Sequence, residues 1–380
     1  MSEADKFIIP SGDKPAEAPA EAVAVKEKTA TGAKTAEQFI MPPASLEERA
    51  RARRFSIRDL AEGLRVMLGA APQKRDKATW TETMRAIQVW KMTPEQRAFR
   101  RDLLYTHENT KPTFAWRLWR WPSIIIINLL FVVSFWLDVQ LVEGALTASR
   151  FVGFHMADVN SSLQVVLAYK ELLINLLIGT VTVMLMWWLV GGRSFCAWAC
   201  PYHLLSELAE MLHLKLAAKG WVEDHPLDRR LRTVLYVVFA LLALATGYTV
   251  FETISPVGIV SRALIYGGGV ALIWVGVLLI IEVVFIRRFW CRYVCPIGLT
   301  YGFVGATSPV KIQWDAAKCL HEGNCRSVCL VPHVLEFTIK NRAHDSVLDA
   351  GPDCTRCAMC LEACLPGALS FKVKGVGDFL

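Results

Sequence analysis

The first half of the chain contains no cysteine, since all eleven cysteines of the 380 residues lie at or beyond position 196. This distribution argues against a disulfide scaffold, which spreads its cysteines through a short chain. The first fifty residues also lack the apolar core of a secretory signal. Residues 1–45 are rich in Ala, Lys, Glu and Pro and are therefore predicted to form a disordered tail. Apolar residues make up 53% of the chain and are concentrated in long runs further along.

Four of these runs reach the length of roughly twenty residues that crosses the hydrocarbon core of a membrane. They are Ser123–Leu141, Leu172–Val190, Thr233–Phe251 and Leu264–Ile286. Lys and Arg accumulate before the first run, between the second and third, and after the fourth, which predicts that both termini and every cysteine face the cytoplasm. The sequence thus predicts four spans in contact with membrane lipid. The net charge of +7 follows from this topology, so no nucleic-acid partner is expected.

None of the eight histidines lies in these four runs, so a haem held by two histidines inside the bundle is not expected. Ionisable residues at the ends of the runs are candidates for handling protons. Toward the outer face these are Asp138, His155, Asp158, Lys170, Glu171 and Arg262. Glu282 lies toward the cytoplasmic face, where the simpler prediction is an ion pair with Arg287 or Arg288.

One cysteine-bearing unit occurs twice. Arg193-Ser-Phe-Cys-Ala-Trp-Ala-Cys-Pro201 and Arg288-Phe-Trp-Cys-Arg-Tyr-Val-Cys-Pro296 each place Arg, an aromatic residue, two cysteines and Pro directly after an apolar run. Two cysteines four residues apart supply half of a tetrahedral thiolate set. The economical prediction is one [4Fe–4S] cluster held by Cys196, Cys200, Cys291 and Cys295. The alternative is two clusters, each completed by other ligands. In either case the arginines would offset the negative charge of a cluster and the aromatic rings would shield it from water.

Residues 311–380 have few long apolar runs and are predicted to form a small soluble domain. Its strongest signal is Cys354-Thr-Arg-Cys357-Ala-Met-Cys360-Leu-Glu-Ala-Cys364. In this C-x2-C-x2-C-x3-C pattern three thiolates hold one cubane and the fourth reaches a neighbouring cluster. The spacing favours iron–sulfur over zinc, because a second run of the same kind is present.

This region resembles a two-cluster bacterial ferredoxin with one departure. Alignment of Cys319-Leu-His-Glu322-Gly-Asn-Cys325-Arg-Ser-Val-Cys329 on the same pattern places Glu322 where the second cysteine belongs. The resemblance implies a regular [4Fe–4S] cluster on Cys354, Cys357, Cys360 and Cys329. It implies a second cluster on Cys319, Cys325 and Cys364. That second cluster is expected to be either [3Fe–4S], or [4Fe–4S] with Glu322, His321 or water on its fourth iron.

The sequence as a whole predicts a mainly α membrane protein with four parts. The disordered tail is followed by a cytoplasmic amphipathic helical region over residues 46–115. Residues 116–310 are predicted to form a four-helix transmembrane bundle with two C-x3-C-P loops, and residues 311–380 an α+β ferredoxin-like domain.

With these motifs the chain resembles the NapH/MauN-type membrane ferredoxins over roughly Trp116–Lys372. Nitrous-oxide-reductase regulators and cytochrome-oxidase accessory ferredoxins share the C-x3-C-P loops. The resemblance implies a bacterial inner (cytoplasmic) membrane protein that moves electrons between membrane quinol and a partner redox protein. It would then act as a quinol-oxidising, electron-transfer subunit of a larger complex. Two alternatives stay open: an accessory or regulatory protein that matures a partner metalloenzyme, and a membrane anchor for a soluble enzyme.

Overall fold

A computed structural model describes residues 57–73, 77–109, 115–138, 142–151, 153–373 and 377–378. The predicted disordered tail over residues 1–45 lies outside the described residues. Within the region predicted to be helical over residues 46–115, the described residues form α1 (Ile57–Met67), a 3-10 turn (Lys77–Thr79), α2 (Glu82–Lys91) and α3 (Pro94–Asn109). Thr81 caps α2 by accepting a hydrogen bond from the backbone N–H of Met84.

Helix α1 is anchored at its carboxyl end by two arginines from the middle of the chain. Arg229 donates to the carbonyls of Val66 and Ala70, and Arg232 donates to the Met67 carbonyl at 2.8 Å. The last carbonyls of a helix need partners from outside it, and cations stabilise the negative end of its dipole. Met67 is buried against Gly302. The amphipathic pattern of α1 therefore serves a contact inside the protein.

The duplicated unit is part of a longer structural repeat. The first copy comprises α4 (Ala115–Trp136), an antiparallel sheet of β1 (Val142–Ala145), β2 (Ala148–Phe151) and β3 (Phe154–Ala157), then α5 (Val159–Tyr169), α6 (Ile174–Val190), α7 (Ser194–Trp198) and α8 (Pro201–Ala218). The second copy comprises α9 (Arg230–Thr246), α10 (Val250–Ile254), α11 (Pro256–Tyr266), α12 (Ala271–Val284), a π-helical turn (Trp290–Val294) and α13 (Pro296–Ala306). Each copy thus has a short helix, α5 or α11, between its two long apolar helices.

The helices depart from the four predicted windows at glycines. α9 ends at Gly247, which adopts the left-handed conformation that glycine tolerates best. The window Leu264–Ile286 is broken by Gly267, Gly268 and Gly269 into α11 and α12. Among the described residues one helix, α4, is long and apolar enough to cross a membrane, and α6, α11 and α12 are shorter apolar helices. The described residues are mostly helical, but the four-span bundle is not confirmed and stays a prediction.

The carboxyl-terminal region is built on a four-stranded antiparallel sheet in the order β5-β4-β6-β7. Its strands are β4 (Val310–Asp315), β5 (Val347–Asp349), β6 (Leu369–Val373) and β7 (Gly377–Asp378). Two one-turn helices, α14 (Asn324–Ser327) and α15 (Met359–Glu362), and a 3-10 segment (Pro332–Thr338) complete it. Trp314 and Ile312 of β4 are buried in a core that also takes in Met84 and Ile87 of α2. The amino-terminal helices therefore pack on this domain.

Candidate iron–sulfur centre

The two C-x3-C-P loops have the same local structure. Cys200 and Cys295 each occupy the cap position of the following helix, with extended backbone, and Pro201 and Pro296 are the first helical residues. Proline suits that position because its missing N–H would have no partner there. The backbone N–H groups of Tyr202 and His203 lie near the Cys200 sulfur, and those of Ile297 and Gly298 lie near the Cys295 sulfur. Both helix amino termini thus favour a negatively charged sulfur.

The loops converge. The sulfurs of Cys196 and Cys295 lie near enough to that of Cys200 for their charges to interact. The sulfur of Cys291 interacts in the same way with those of Cys200 and Cys295. All four belong to one apolar core. Repeat-related aromatic residues line this core: Phe195 stacks on Tyr301 at 5.0 Å between ring centroids, and Trp290 stacks on Phe251 at 6.2 Å. The two halves of the thiolate set are therefore brought together in a site shielded from water.

Arg193 connects the first loop to the ferredoxin-like domain. Its Nη1 donates to Asp353 Oδ1 at 2.5 Å and to the Asp353 carbonyl at 2.9 Å, while its charge also acts on Cys196 and Cys295. Asp353 additionally accepts from Arg232 Nη2 and from His333 Nε2. Burial alone would raise the pKa of Asp353, but the two arginines outweigh it and hold that pKa well below its ordinary value. Asp353 and the side chains bound to it, Arg193, Arg232 and His333, thus form a charged hub between Cys196 and Cys354.

Arg288, the repeat-related arginine, is bound differently. It is buried and pairs with Glu210 of α8, close to His203, while its charge acts on Cys291. Glu282 does not form the predicted ion pair with Arg287 or Arg288. Arg287 pairs with Asp224 at 2.6 Å, and Glu282 Oε1 accepts hydrogen bonds from the Tyr202 hydroxyl and the Trp290 backbone N–H. Both arginines are held by other carboxylates, Arg287 by Asp224 and Arg288 by Glu210 of α8.

The seven cysteines of the ferredoxin-like domain fall into two groups. Cys360 interacts most strongly with Cys329, Cys357 and Cys354, and less with Cys325. Cys364 interacts with Cys319 and Cys325. The ligand sets that the ferredoxin resemblance implies stay a prediction.

Glu322 holds the backbone position that Cys357 holds in the other motif. In both motifs the preceding residue has a positive φ, 61° at His321 and 49° at Arg356, and so does the following residue, Gly323 or Ala358. A one-turn helix follows in each motif. His321 Nδ1 donates to the Thr338 carbonyl and lies 3.7 Å from Cys319 Sγ. Both predicted non-thiol donors therefore flank the three-cysteine group.

Two cations of the amino-terminal helices lie over this three-cysteine group. Lys91 of α2 is 2% exposed, and its Nζ donates to the Cys319 carbonyl at 2.9 Å. Arg100 of α3 donates to the Leu320 carbonyl, and its charge acts on Cys319. The sequence gives no motif for either residue. Both cover a site with one thiolate fewer than its neighbour.

The ferredoxin-like domain sits directly on the first loop. Ala197 of that loop packs in one cluster with Cys357 and Met359, and Trp198 Nε1 donates to the Arg356 carbonyl at 3.2 Å. Arg356 in turn donates to the Gly305 carbonyl at the end of α13. The thiols of the regular group therefore lie next to those of the duplicated loops.

The donor set fits iron–sulfur clusters. Within the described part of the chain, no three His, Cys, Asp or Glu side chains converge closely enough to hold a single metal ion. The ligands of a cubane are spread further apart, because each thiolate binds a different iron. Buried arginines beside the loop thiols and helix amino termini at the capping cysteines would offset the charge of such a cluster.

Comparison with known proteins identifies the family. A family model described as a 4Fe–4S binding domain matches residues 172–219 and 268–314, which cover the two copies of the C-x3-C-P unit. The methylamine utilization ferredoxin-type protein MauN of Methylorubrum extorquens is 30% identical over 262 residues, 68% of this chain and 89% of that protein. This chain belongs to the MauN and NapH family of ferredoxin-type proteins.

Ferredoxin-type protein NapH of Escherichia coli is 27% identical over 256 residues, 66% of this chain and 88% of that protein. The putative electron transport protein YccM of Escherichia coli is 34% identical over 194 residues, 48% of this chain and 52% of that protein. No solved structure matches the chain. Membership of the MauN and NapH family confirms the resemblance and supports a 4Fe–4S electron-transfer protein.

Sequence reasoning missed the residues that join the parts. Asp353 and Glu210 carry no motif and belong to elements whose contacts only the fold determines. One feature of the sequence could have pointed to Asp353: it directly precedes Cys354. Glu252 was also missed, because it falls one residue beyond the predicted window Thr233–Phe251.

Proposed function

We propose that this protein is a membrane-bound iron–sulfur protein that carries electrons, one at a time, between the quinol pool and a partner redox protein. The observation that carries the proposal is the convergence of both C-x3-C-P loops in one buried core, with the second cysteine set packed against the first loop. Bound clusters would supply the one-electron chemistry, and the chain supplies position, charge and shielding from water.

Membrane insertion is supported by the surface of the long apolar helices. Large apolar side chains on these helices are exposed over most of their length, such as Trp136 at 75%, Ile273 at 66% and Ile126 at 63%. Continuous exposed apolar surface marks contact with a membrane or another protein. In our proposal α4, α6, α9 and α12 are the four spans of a bacterial inner-membrane protein, with both termini in the cytoplasm.

The cysteine groups suggest a linear order of electron carriers. Cys196, Cys200, Cys291 and Cys295 would hold one [4Fe–4S] cluster in the membrane domain. Cys329, Cys354, Cys357 and Cys360 would hold a second, next to the first loop. Cys319, Cys325 and Cys364 would hold the irregular third under α2 and α3, with Glu322 or His321 nearby. In this order the irregular site is the one furthest from the C-x3-C-P loops, and a partner protein would exchange electrons with it.

Reduction of the purified protein by quinol tests this function. The protein is purified in detergent, its iron and acid-labile sulfide are counted, and its EPR spectrum is recorded with menadiol or ubiquinol-1 as the sole reductant. Reduction of a cluster signal within the mixing time of the experiment is expected. If neither quinol reduces any cluster, and dithionite-reduced protein passes no electrons to quinone, the proposal is wrong and the maturation or anchor role takes its place.

The irregular site has its own test in Glu322→Cys. We expect the parent protein to give a [3Fe–4S] or oxygen-ligated signal, and the variant to give two regular [4Fe–4S] signals from the ferredoxin-like domain. Glu322→Gln is the matched control, since it adds no thiol. Two regular signals in the parent itself would show that the alignment of Glu322 on Cys357 is wrong.

A further inference from the structure

Two acidic side chains from different repeats meet at one hydroxyl near the outer end of α9. Asp158, which is 4% exposed, caps α5 and accepts from the backbone N–H groups of Asn160 and Ser161 at 3.0 and 3.1 Å. The Ser161 hydroxyl lies 3.3 Å from Asp158 Oδ2 and also contacts Glu252 Oε1 in α10. A hydroxyl carries one proton, so it donates to one carboxylate and can accept from the other. The arrangement therefore suits a proton held between Asp158 and Glu252.

Glu252 also faces an open cleft of about 420 Å³ between α10, α11 and the start of α12. Tyr248, Thr249 and Arg262 supply polar groups to its wall, and Ile259 and Leu272 supply apolar ones. Exposed apolar residues surround the cleft, among them Val270 and Tyr266. A lipid-soluble molecule could thus enter from the side.

The acid pair connects this cleft to the cysteine loops. The Tyr301 hydroxyl faces Asp158, and the Tyr301 ring stacks on Phe195, one residue before Cys196. Asp158 is also near enough to Cys196 for their charges to interact. A continuous line of contacts therefore runs from the cleft, through Ser161 and Asp158, to the first thiol of the duplicated set.

We propose that this cleft binds the quinol and that Glu252, backed by Ser161 and Asp158, accepts its protons. This inference rests on the proposed function. Oxidation of a quinol to a quinone breaks two O–H bonds, releases two protons and removes two electrons. Glu252 takes the first proton at its carboxylate and passes it through the Ser161 hydroxyl to Asp158 before it takes the second. The two electrons would be accepted one at a time by an oxidised iron–sulfur cluster held by Cys196 and its partners. Arg262 and Thr249 donate hydrogen bonds to the oxygens of the quinone product.

Glu252→Gln tests the proposal in the full-length protein with its clusters loaded. Removal of a general base typically costs about 10²-fold or more in rate, so reduction by menadiol or ubiquinol-1 in a stopped-flow experiment should slow by that amount. Iron content and the dithionite-reduced EPR spectrum should match those of the parent. Glu223→Gln is the matched control, because Glu223 is an exposed carboxylate outside the cleft, and it should leave the rate unchanged.

A binding measurement tests whether the cleft holds the quinol, separately from whether Glu252 accepts its protons. Arg262→Gln should weaken binding of the quinol analogue 2-heptyl-4-hydroxyquinoline N-oxide, followed by quenching of its fluorescence, about tenfold. Ser161→Ala keeps both carboxylates and provides a second variant if Glu252→Gln fails to fold; it should slow quinol oxidation without altering iron content.

Three results are distinguishable. If no quinol reduces the parent protein, the proposed function itself fails. If the parent is reduced and Glu252→Gln and Ser161→Ala are reduced equally fast, the proton-accepting role is wrong. If Arg262→Gln binds the analogue as tightly as the parent, the quinol site lies elsewhere.

Discussion

The two copies of the C-x3-C-P unit share a sequence pattern and a local fold, yet their arginines face different parts of the molecule. Arg193 pairs with Asp353 of the ferredoxin-like domain, whereas Arg288 pairs with Glu210 of the opposite repeat. Both are buried, and both lie beside thiols. The two copies therefore differ in their contacts, since the first faces the ferredoxin-like domain and the second faces the other helical repeat.

The two residues before each arginine also differ between the two copies. The first copy has Gly191 and Gly192, and the second has Ile286 and Arg287. A side chain at Gly191 would overlap Arg356 of the ferredoxin-like domain, and one at Gly192 would overlap the backbone of Gly305 in α13. Gly191 therefore allows the ferredoxin-like domain to approach the first copy closely, and Gly192 allows α13 of the second copy to do so.

The largest expected effect comes from removal of one thiol in each copy. If a single cluster is shared, Cys196→Ser and Cys291→Ser each abolish the same EPR signal and the same share of iron, and the double variant loses no more than either single one. Iron and sulfide counts on the three proteins measure this, with the ferredoxin-domain signals as internal reference. A further loss of iron in the double variant would indicate one cluster per copy, and the shared site would be wrong.

The next effect is loss of the charged hub. Asp353→Asn leaves Arg193 and Arg232 buried without their carboxylate, and breaking a buried ion pair typically costs about 3–5 kcal/mol. Glu210→Gln is the matched change in the other copy and should cost less, since Glu210 is partly exposed. Thermal unfolding of the full-length protein in detergent gives the comparison. If Asp353→Asn and Glu210→Gln destabilise the protein equally, the idea that the first copy is the one specialised for contact with the ferredoxin-like domain is wrong.

Local sequence patterns predicted most of the cysteine ligands but few of the contacts that bring the loops and the ferredoxin-like domain together. The repeat and the register of Glu322 follow from spacing, because a ligand loop is a local structure. The grouping of Cys329 with Cys354, Cys357 and Cys360 is implied by the resemblance to two-cluster ferredoxins. Asp353 and Lys91 are far in sequence from Arg193 and Cys319, so only the fold brings them there. The short helix α11 was missed because the window Leu264–Ile286 runs across the glycine break that separates it from α12. The short helix α5 ends at Tyr169 and lies outside all four windows.

A smaller effect is expected from Gly192→Ala. The added methyl group meets backbone atoms that cannot turn aside, and overpacking of this kind typically costs about 1–3 kcal/mol. The positive φ of 72° at this residue adds strain for any side chain. Gly276→Ala is the control, since nothing lies within 4 Å of its added carbon. Thermal unfolding of the full-length protein in detergent should show a lower midpoint in Gly192→Ala alone.

The smallest expected effect is that of Arg288→Lys on the reduction potential of the shared cluster. Lysine keeps the positive charge but loses the planar fork that binds Glu210, so the potential should move by less than about 59 mV, the one-electron equivalent of a tenfold change. Arg193→Lys should shift the same signal by a similar amount, because both charges act on one thiolate set. It should also loosen the ferredoxin-like domain, since Asp353 loses a donor there. Redox titration followed by EPR measures the first effect and proteolysis the second; two signals that shift independently would mean that each arginine serves its own cluster.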